Sequence, residues 1–126
     1  MLGEPDLAIG LRPQIQAALD HAGGQYAIED LYCAVLLNRM QCWLAPKGEA
    51  VHFTELVQYP RLKSLRVLVS AGDIQALLAM TPNIARWALN TQQCTRVEYI
   101  GRPGWARVLG WRKAGEWCWA DLEGLT

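Results

Sequence analysis

Apolar residues recur along this chain with two different periods. Over residues 11–21, Ile15, Ala18 and Leu19 fall at helical spacing, Pro13 suits a first turn, and Gly23 and Gly24 follow as a stop. Ile28, Leu31, Tyr32 and Val35 share one face of a second predicted helix over 27–36. The period then changes to two. Met40, Cys42 and Leu44 alternate with Arg39, Gln41 and Trp43, which predicts a strand over 39–44. A turn over 46–49 leads to a second alternating run, 50–58. There Val51, Phe53 and Glu55 lie on one side and His52, Thr54 and Leu56 on the other. These two strands read as a hairpin, closed by residues 59–61.

Residues 65–69 are more continuously apolar, as a central strand should be. Ser70, Ala71 and Gly72 read as a turn, and Asp73 as the cap of a helix. That helix carries Ile74, Leu77, Leu78 and Met80, meets Pro82, and resumes with Ile84, Trp87, Ala88 and Leu89 to about residue 90. One kinked helix or two short ones both fit. A strand over 94–100, a turn over 101–104, a short helix over 105–109 and a last strand over 116–122 complete the order. The unit from 65 to 100 is strand–helix–strand, so its two strands are expected to be parallel with a right-handed crossover. With the antiparallel hairpin this makes a mixed sheet. The expected core includes Val67, Val69, Ile74, Leu77, Leu78, Trp87, Val97 and Tyr99.

The length of 126 residues fits one domain, and no repeat or linker interrupts it. Twelve basic residues balance twelve acidic ones, which gives no bulk attraction to nucleic acid or to an anionic membrane. The arginines Arg61, Arg66, Arg96, Arg102, Arg107 and Arg112 all lie beyond residue 60. They form either a local patch for a phosphate-bearing ligand or a set of solvated side chains. No apolar run is long enough to span a bilayer, and the acidic start lacks the basic residues of a signal peptide. A cytoplasmic protein is expected. Cys33, Cys42, Cys94 and Cys118 show no metal-ligand spacing and read as reduced thiols.

The order of elements over residues 11–122 resembles the GNAT N-acetyltransferase superfamily. The segment 98–109 is similar to small GNAT-like proteins of tailed phages and prophages. The resemblance implies an α/β (α+β) fold, a GNAT-like mixed sheet with helices on both faces, over a single domain spanning 1–126. It implies acetyl-CoA as cofactor, held where the two parallel strands splay apart, with Val69, Ser70 and Gly72 against the pantetheine and pyrophosphate. The family's cofactor loop reads Q/R-x-x-G-x-G/A and aims backbone N–H groups at the pyrophosphate. Here Gly72 alone survives of that pattern, and Asp73 adds a carboxylate beside the anion. Many members also carry a general-acid tyrosine on the short helix; this one has Trp105, Arg107 and Leu109.

Two strand carboxylates, Glu55 and Glu98, are the candidate general bases; a structural pairing with arginine is the other reading of each. Arg102 and Trp105 flank the turn at the carboxyl edge of a parallel strand, where ligands of open α/β sheets sit. Either they bind cofactor there, or Arg102 pairs with Glu98 or caps a carbonyl while Trp105 packs in the core. His21 and His52 read as surface or polar-contact residues. No Ser/His/Asp or Cys/His constellation is legible from spacing. Of the six tryptophans, Trp105, Trp111, Trp117 and Trp119 lie in the last quarter. They suit either a core or a protein-contact surface.

Two functions follow. One is an acyl-CoA-dependent N-acyltransferase acting directly on an acyl-acceptor amine. The other is a GNAT-shaped protein without catalysis that serves as a phage virion or host-interaction component, with a protein partner or assembly.

Overall fold

The computed structural model describes residues 10–21, 24–100, 105–112, 115, 118 and 120–125. Among the described residues, four helices and four strands follow the order α1 (Arg12–His21), α2 (Ile28–Leu36), β1 (Gln41–Leu44), β2 (Ala50–Gln58), β3 (Lys63–Gly72), α3 (Ile74–Asn90), β4 (Arg96–Tyr99) and α4 (Trp105–Leu109), and a 3-10 turn spans Leu122–Leu125. The sheet runs β1-β2-β3-β4. β1, β2 and β3 are successively antiparallel, and β4 is parallel to β3. This is the mixed sheet that the hydrophobic pattern predicts, in an α/β fold with helices on both faces, as the resemblance implies.

Alternation along β2 divides the molecule. Val51 and Phe53 face α1 and α2, where they pack with Ile15, Leu19, Ile28, Leu31 and Cys42. Ala50 faces α3, with Trp43, Leu65, Leu77, Met80 and Ile84. On β3 the alternation changes phase. Phe53 pairs with Val69 and Thr54 with Val67, so Leu68 is the extra residue of a β-bulge. Leu65 therefore packs on the α3 side, while Val69 and Ala71 pack on the α1/α2 side.

The third strand is longer than the pattern predicts. Ser70, Ala71 and Gly72 belong to β3 rather than to a turn, because β2 pairs with them through Ala50. Gly72 has φ +105°, and a Cβ there would stand 2.3 Å from the Glu49 carbonyl oxygen. The glycine is required by that approach, and the Asp73 N–H donates to the same carbonyl at 2.9 Å. Asp73 caps α3 as expected, accepting from the Ala76 N–H at 2.9 Å. Pro82 lies inside one continuous helix.

Two expected core residues are exposed: Ile74 by 43% and Val97 by 37%. Ile74 sits at the first turn of α3, beyond the sheet's cover. Val97 is on β4, beyond which, among the described residues, the sheet has no further strand. Val67, Val69 and Leu77 are buried, and Leu78, Trp87 and Tyr99 are half-buried. The expected strand over 116–122 is absent from its described residues: Cys118, Ala120 and Asp121 are not in a strand, and Leu122 opens the 3-10 turn. Among the described residues, no helix is long and apolar enough to cross a membrane.

Candidate functional site

β3 and β4 pair from Ser64 with Arg96 as far as Val67 with Tyr99. β3 continues five residues further, to Gly72, paired only with β2. Among the described residues, the edge of β3 from Leu68 to Gly72 has no strand beside it. The bulge falls where the two parallel strands part.

Beside this opening, on the α3 side, is a pocket of about 250 Å³. Its floor is Leu65 and Val67 of β3 and Val97 and Tyr99 of β4. Its roof is α3, through Leu77, Leu78, Thr81, Ile84 and Leu89, and Leu109 and Trp111 contribute from the C-terminal part. The lining is predominantly aliphatic, as in binding sites for apolar groups. It exceeds the order of 150 Å³ at which an apolar cavity in another protein admits benzene.

Three polar side chains on this side are tied into the structure. Trp43 Nε1 donates to Thr54 Oγ1 at 3.0 Å, and Thr54 in turn donates to Gln41 Oε1 at 2.8 Å. The Trp43 and Trp87 rings meet edge to face at 5.2 Å, fixing one flank of α3. His52 is buried and contacts both Ser70 and the backbone of Leu77. Burial, partly opposed by the Leu77 carbonyl, holds the pKa of His52 below its ordinary 6.5.

The two strand carboxylates are brought together across the sheet. Glu55 on β2, Arg66 on β3 and Glu98 on β4 are register partners in a row. Arg66 bridges them, with Nη1 3.2 Å from Glu55 Oε1 and Nε 3.5 Å from Glu98 Oε2. The Tyr59 hydroxyl accepts from Arg66 Nη2 at 3.0 Å and donates to Glu98 at 2.9 Å. Burial works against the guanidinium charge; Tyr59, Glu98 and Glu55 more than offset it and raise the Arg66 pKa. Glu55 shares the face of Val51 and Phe53, as its alternation predicts, and pairs with arginine. Both carboxylates are committed to a permanent cation, and neither lines the pocket.

The cofactor candidates scatter. Val69 is buried against α1 and α2, because the bulge turns it away from the pocket. Ser70 is half-buried on the α3 side. Gly72 ends β3 beside the capped start of α3, where the Asp73 carboxylate already takes an N–H that an anion would need. Trp105 opens α4; its side chain and the whole of Arg102 lie outside the described residues. Of Arg61, Arg66, Arg96, Arg102, Arg107 and Arg112, Arg66 belongs to the carboxylate row and Arg96 lines the pocket. Sequence reasoning missed the contact of His52 with Ser70. The signal existed in part: His52 and Ser70 sit on strands that must pair, but the register depends on a bulge that no spacing announces.

No protein family matches the sequence, and no curated protein matches it. The fold is similar to the X-ray structure of the tetramutant of BH1408 protein from Bacillus halodurans. The two superpose with a TM-score of 0.66 over 96% of this chain and 97% of that one, at 12% sequence identity. At that identity the likeness is one of fold alone.

Proposed function

We propose that this chain is an acyl-CoA-dependent N-acyltransferase of the GNAT type, working in the cytoplasm. The observation that carries the reading is the parting of β3 from β4 after Val67 and Tyr99. A strand edge without a partner can hydrogen-bond the amides of a pantetheine arm as it would another strand. The apolar pocket beside it would receive the acyl group. An amine attacking the thioester carbonyl would release coenzyme A as its thiol, and the amine's proton must pass to a base. Glu98, on the strand that borders the opening, could serve only after release from Arg66.

One observation favours a second reading. Asp73 fills the start of α3 with a carboxylate, where a pyrophosphate would otherwise bind. A GNAT-shaped protein that binds a partner instead, as part of a phage particle or its host contact, would tolerate that residue. Calorimetry with acetyl-CoA separates the two. The enzyme reading expects a dissociation constant in the micromolar range and a rise in Tm. Mass action sets that rise, with about 2.7 kcal/mol of added stability at a hundredfold excess over Kd. Asp73→Asn keeps a capping side chain, removes the charge, and should tighten binding severalfold. No heat and no thermal shift at millimolar cofactor, in either form, would leave the partner-binding reading.

A further inference from the structure

His52 and Ser70 are cross-strand partners on β2 and β3. His52 Nε2 lies 3.1 Å from the Leu77 carbonyl oxygen. A carbonyl can only accept, so Nε2 carries the proton, and the neutral ring presents a lone pair at Nδ1. Ser70 Oγ lies 2.6 Å from that nitrogen, so the hydroxyl donates to it. Burial keeps the ring in this neutral form at neutral pH. A hydroxyl is thus bonded to a base, and the base is held in one tautomer by a third group. That is the arrangement of an activated nucleophile, with a backbone carbonyl in the orienting role that a carboxylate often fills.

The surroundings suit an acyl substrate. His52 forms part of the wall of the 250 Å³ pocket, among Leu65, Val67, Leu77 and Ile84. Ser70 does not itself line the pocket but meets its wall through His52; it is half-buried and lies on the stretch of β3 that β4 does not cover.

We propose that Ser70 is a nucleophile, with His52 as its general base and the Leu77 carbonyl as the positioning group. It takes an aliphatic acyl group from an ester or thioester, and the acyl chain lies in the pocket beneath α3. Ser70 Oγ bonds to the carbonyl carbon as its proton passes to His52 Nδ1. Collapse of the tetrahedral adduct breaks the bond to the leaving alcohol or thiol, which departs with that proton. Ser70 remains as an ester and His52 as the neutral base. Water or an amine then attacks the ester and gives a proton to Nδ1, and the Ser70 oxygen leaves and recovers it. With water the sum is hydrolysis. With an amine it is acyl transfer through a covalent ester, in place of direct attack. The pocket and the dyad address the acyl group and not its leaving group, so the proposal goes beyond coenzyme A as donor.

Two measurements on the intact chain test it. An octyl fluorophosphonate should form one adduct per chain, mapped to Ser70 by tandem mass spectrometry. p-Nitrophenyl octanoate should give a burst of p-nitrophenol, at a rate at least tenfold above that with p-nitrophenyl acetate. Ser70→Ala should lose both adduct and burst at least a hundredfold, with an unchanged circular dichroism spectrum. The adduct on the unsubstituted chain needs no variant, so a folding defect cannot mask the result. A folded chain that takes no label, is labelled at another serine, or keeps its burst as Ser70→Ala overturns the proposal. Acetyl-CoA binding without a Ser70 adduct would sink the dyad and spare the acyltransferase reading. An adduct without acetyl-CoA binding would do the reverse.

Discussion

The two faces of the sheet are made by the same strands but packed differently. On the α1/α2 face Phe53, Ile15, Leu19, Leu31 and Val51 are fully buried and interlock. On the α3 face the helix stands over a pocket, and the buried residues include a histidine, a threonine and a tryptophan with hydrogen-bond obligations. The first arrangement maximises burial and dispersion contact. The second leaves space and polar chemistry under a helix whose opposite flank is pinned by Trp43 and Trp87. One face thus specifies the fold, while the other has room to hold a ligand.

Truncation should separate the faces most sharply. Phe53→Ala is expected to cost about 3–5 kcal/mol, since a fully buried ring leaves a cavity that rigid neighbours cannot close. Ile84→Ala, in the wall of the existing pocket, should fall near the low end of its class, at about 2 kcal/mol. Denaturant unfolding of both variants gives the ratio; equal losses would mean the pocket is as tightly packed as the opposite core.

Adding volume should act in the opposite sense. Ala71→Leu, into the α1/α2 core, should destabilise by about 1–3 kcal/mol. Ala85→Leu, beside the pocket, should stay within about 0.5 kcal/mol and abolish any preference for long acyl chains. The same unfolding assay, with p-nitrophenyl esters of increasing length, checks both.

The smallest effect is on pH dependence. The pKa of His52 is lowered in the folded chain, so below about pH 6.5 the unfolded chain binds more protons. Its neutral, buried form therefore adds stability above that pH, and the contribution is lost as pH falls. The loss of Tm between about pH 7.5 and about pH 5 should be smaller in His52→Gln. An identical slope in both proteins would show that His52 is not an acid-sensitive point.

The sequence made the element types legible wherever one period ran long enough. β2 falls at 50–58 as its alternation predicts, Asp73 caps α3, and the parallel pairing of β3 with β4 follows from the crossover rule. What was hidden depended on partners. Ser70, Ala71 and Gly72 read as a turn because glycine marks turns, yet Gly72 answers to the Glu49 carbonyl of another strand. The dyad was illegible for a related reason. Counting by twos along β3 from Leu65 sets Val69 on the α3 face and Ser70 on the other, and the structure reverses both.

That reversal gives Leu68 an importance out of proportion to its contacts. It works as a one-residue reading-frame shift written into a strand. Deleting it would restore strict alternation and leave Val69 and Ala71 toward α1 and α2 and Ser70 beside His52, because Val67 and Val69 would become neighbours on the opposite faces they already occupy. Flattening the bulge with Leu68 kept in the ladder would instead send Val69 and Ala71 toward α3 and Ser70 away from His52. A relative of this chain that had lost one residue at this point would keep its sheet, its helices and the pairing of its serine with the histidine, whereas one that kept the residue but lost the bulge would carry its serine on the wrong side. In an alignment, a gap at position 68 is therefore compatible with the dyad, while a one-residue insertion or deletion elsewhere between positions 52 and 70 that is not absorbed by a bulge is the change that separates serine from histidine.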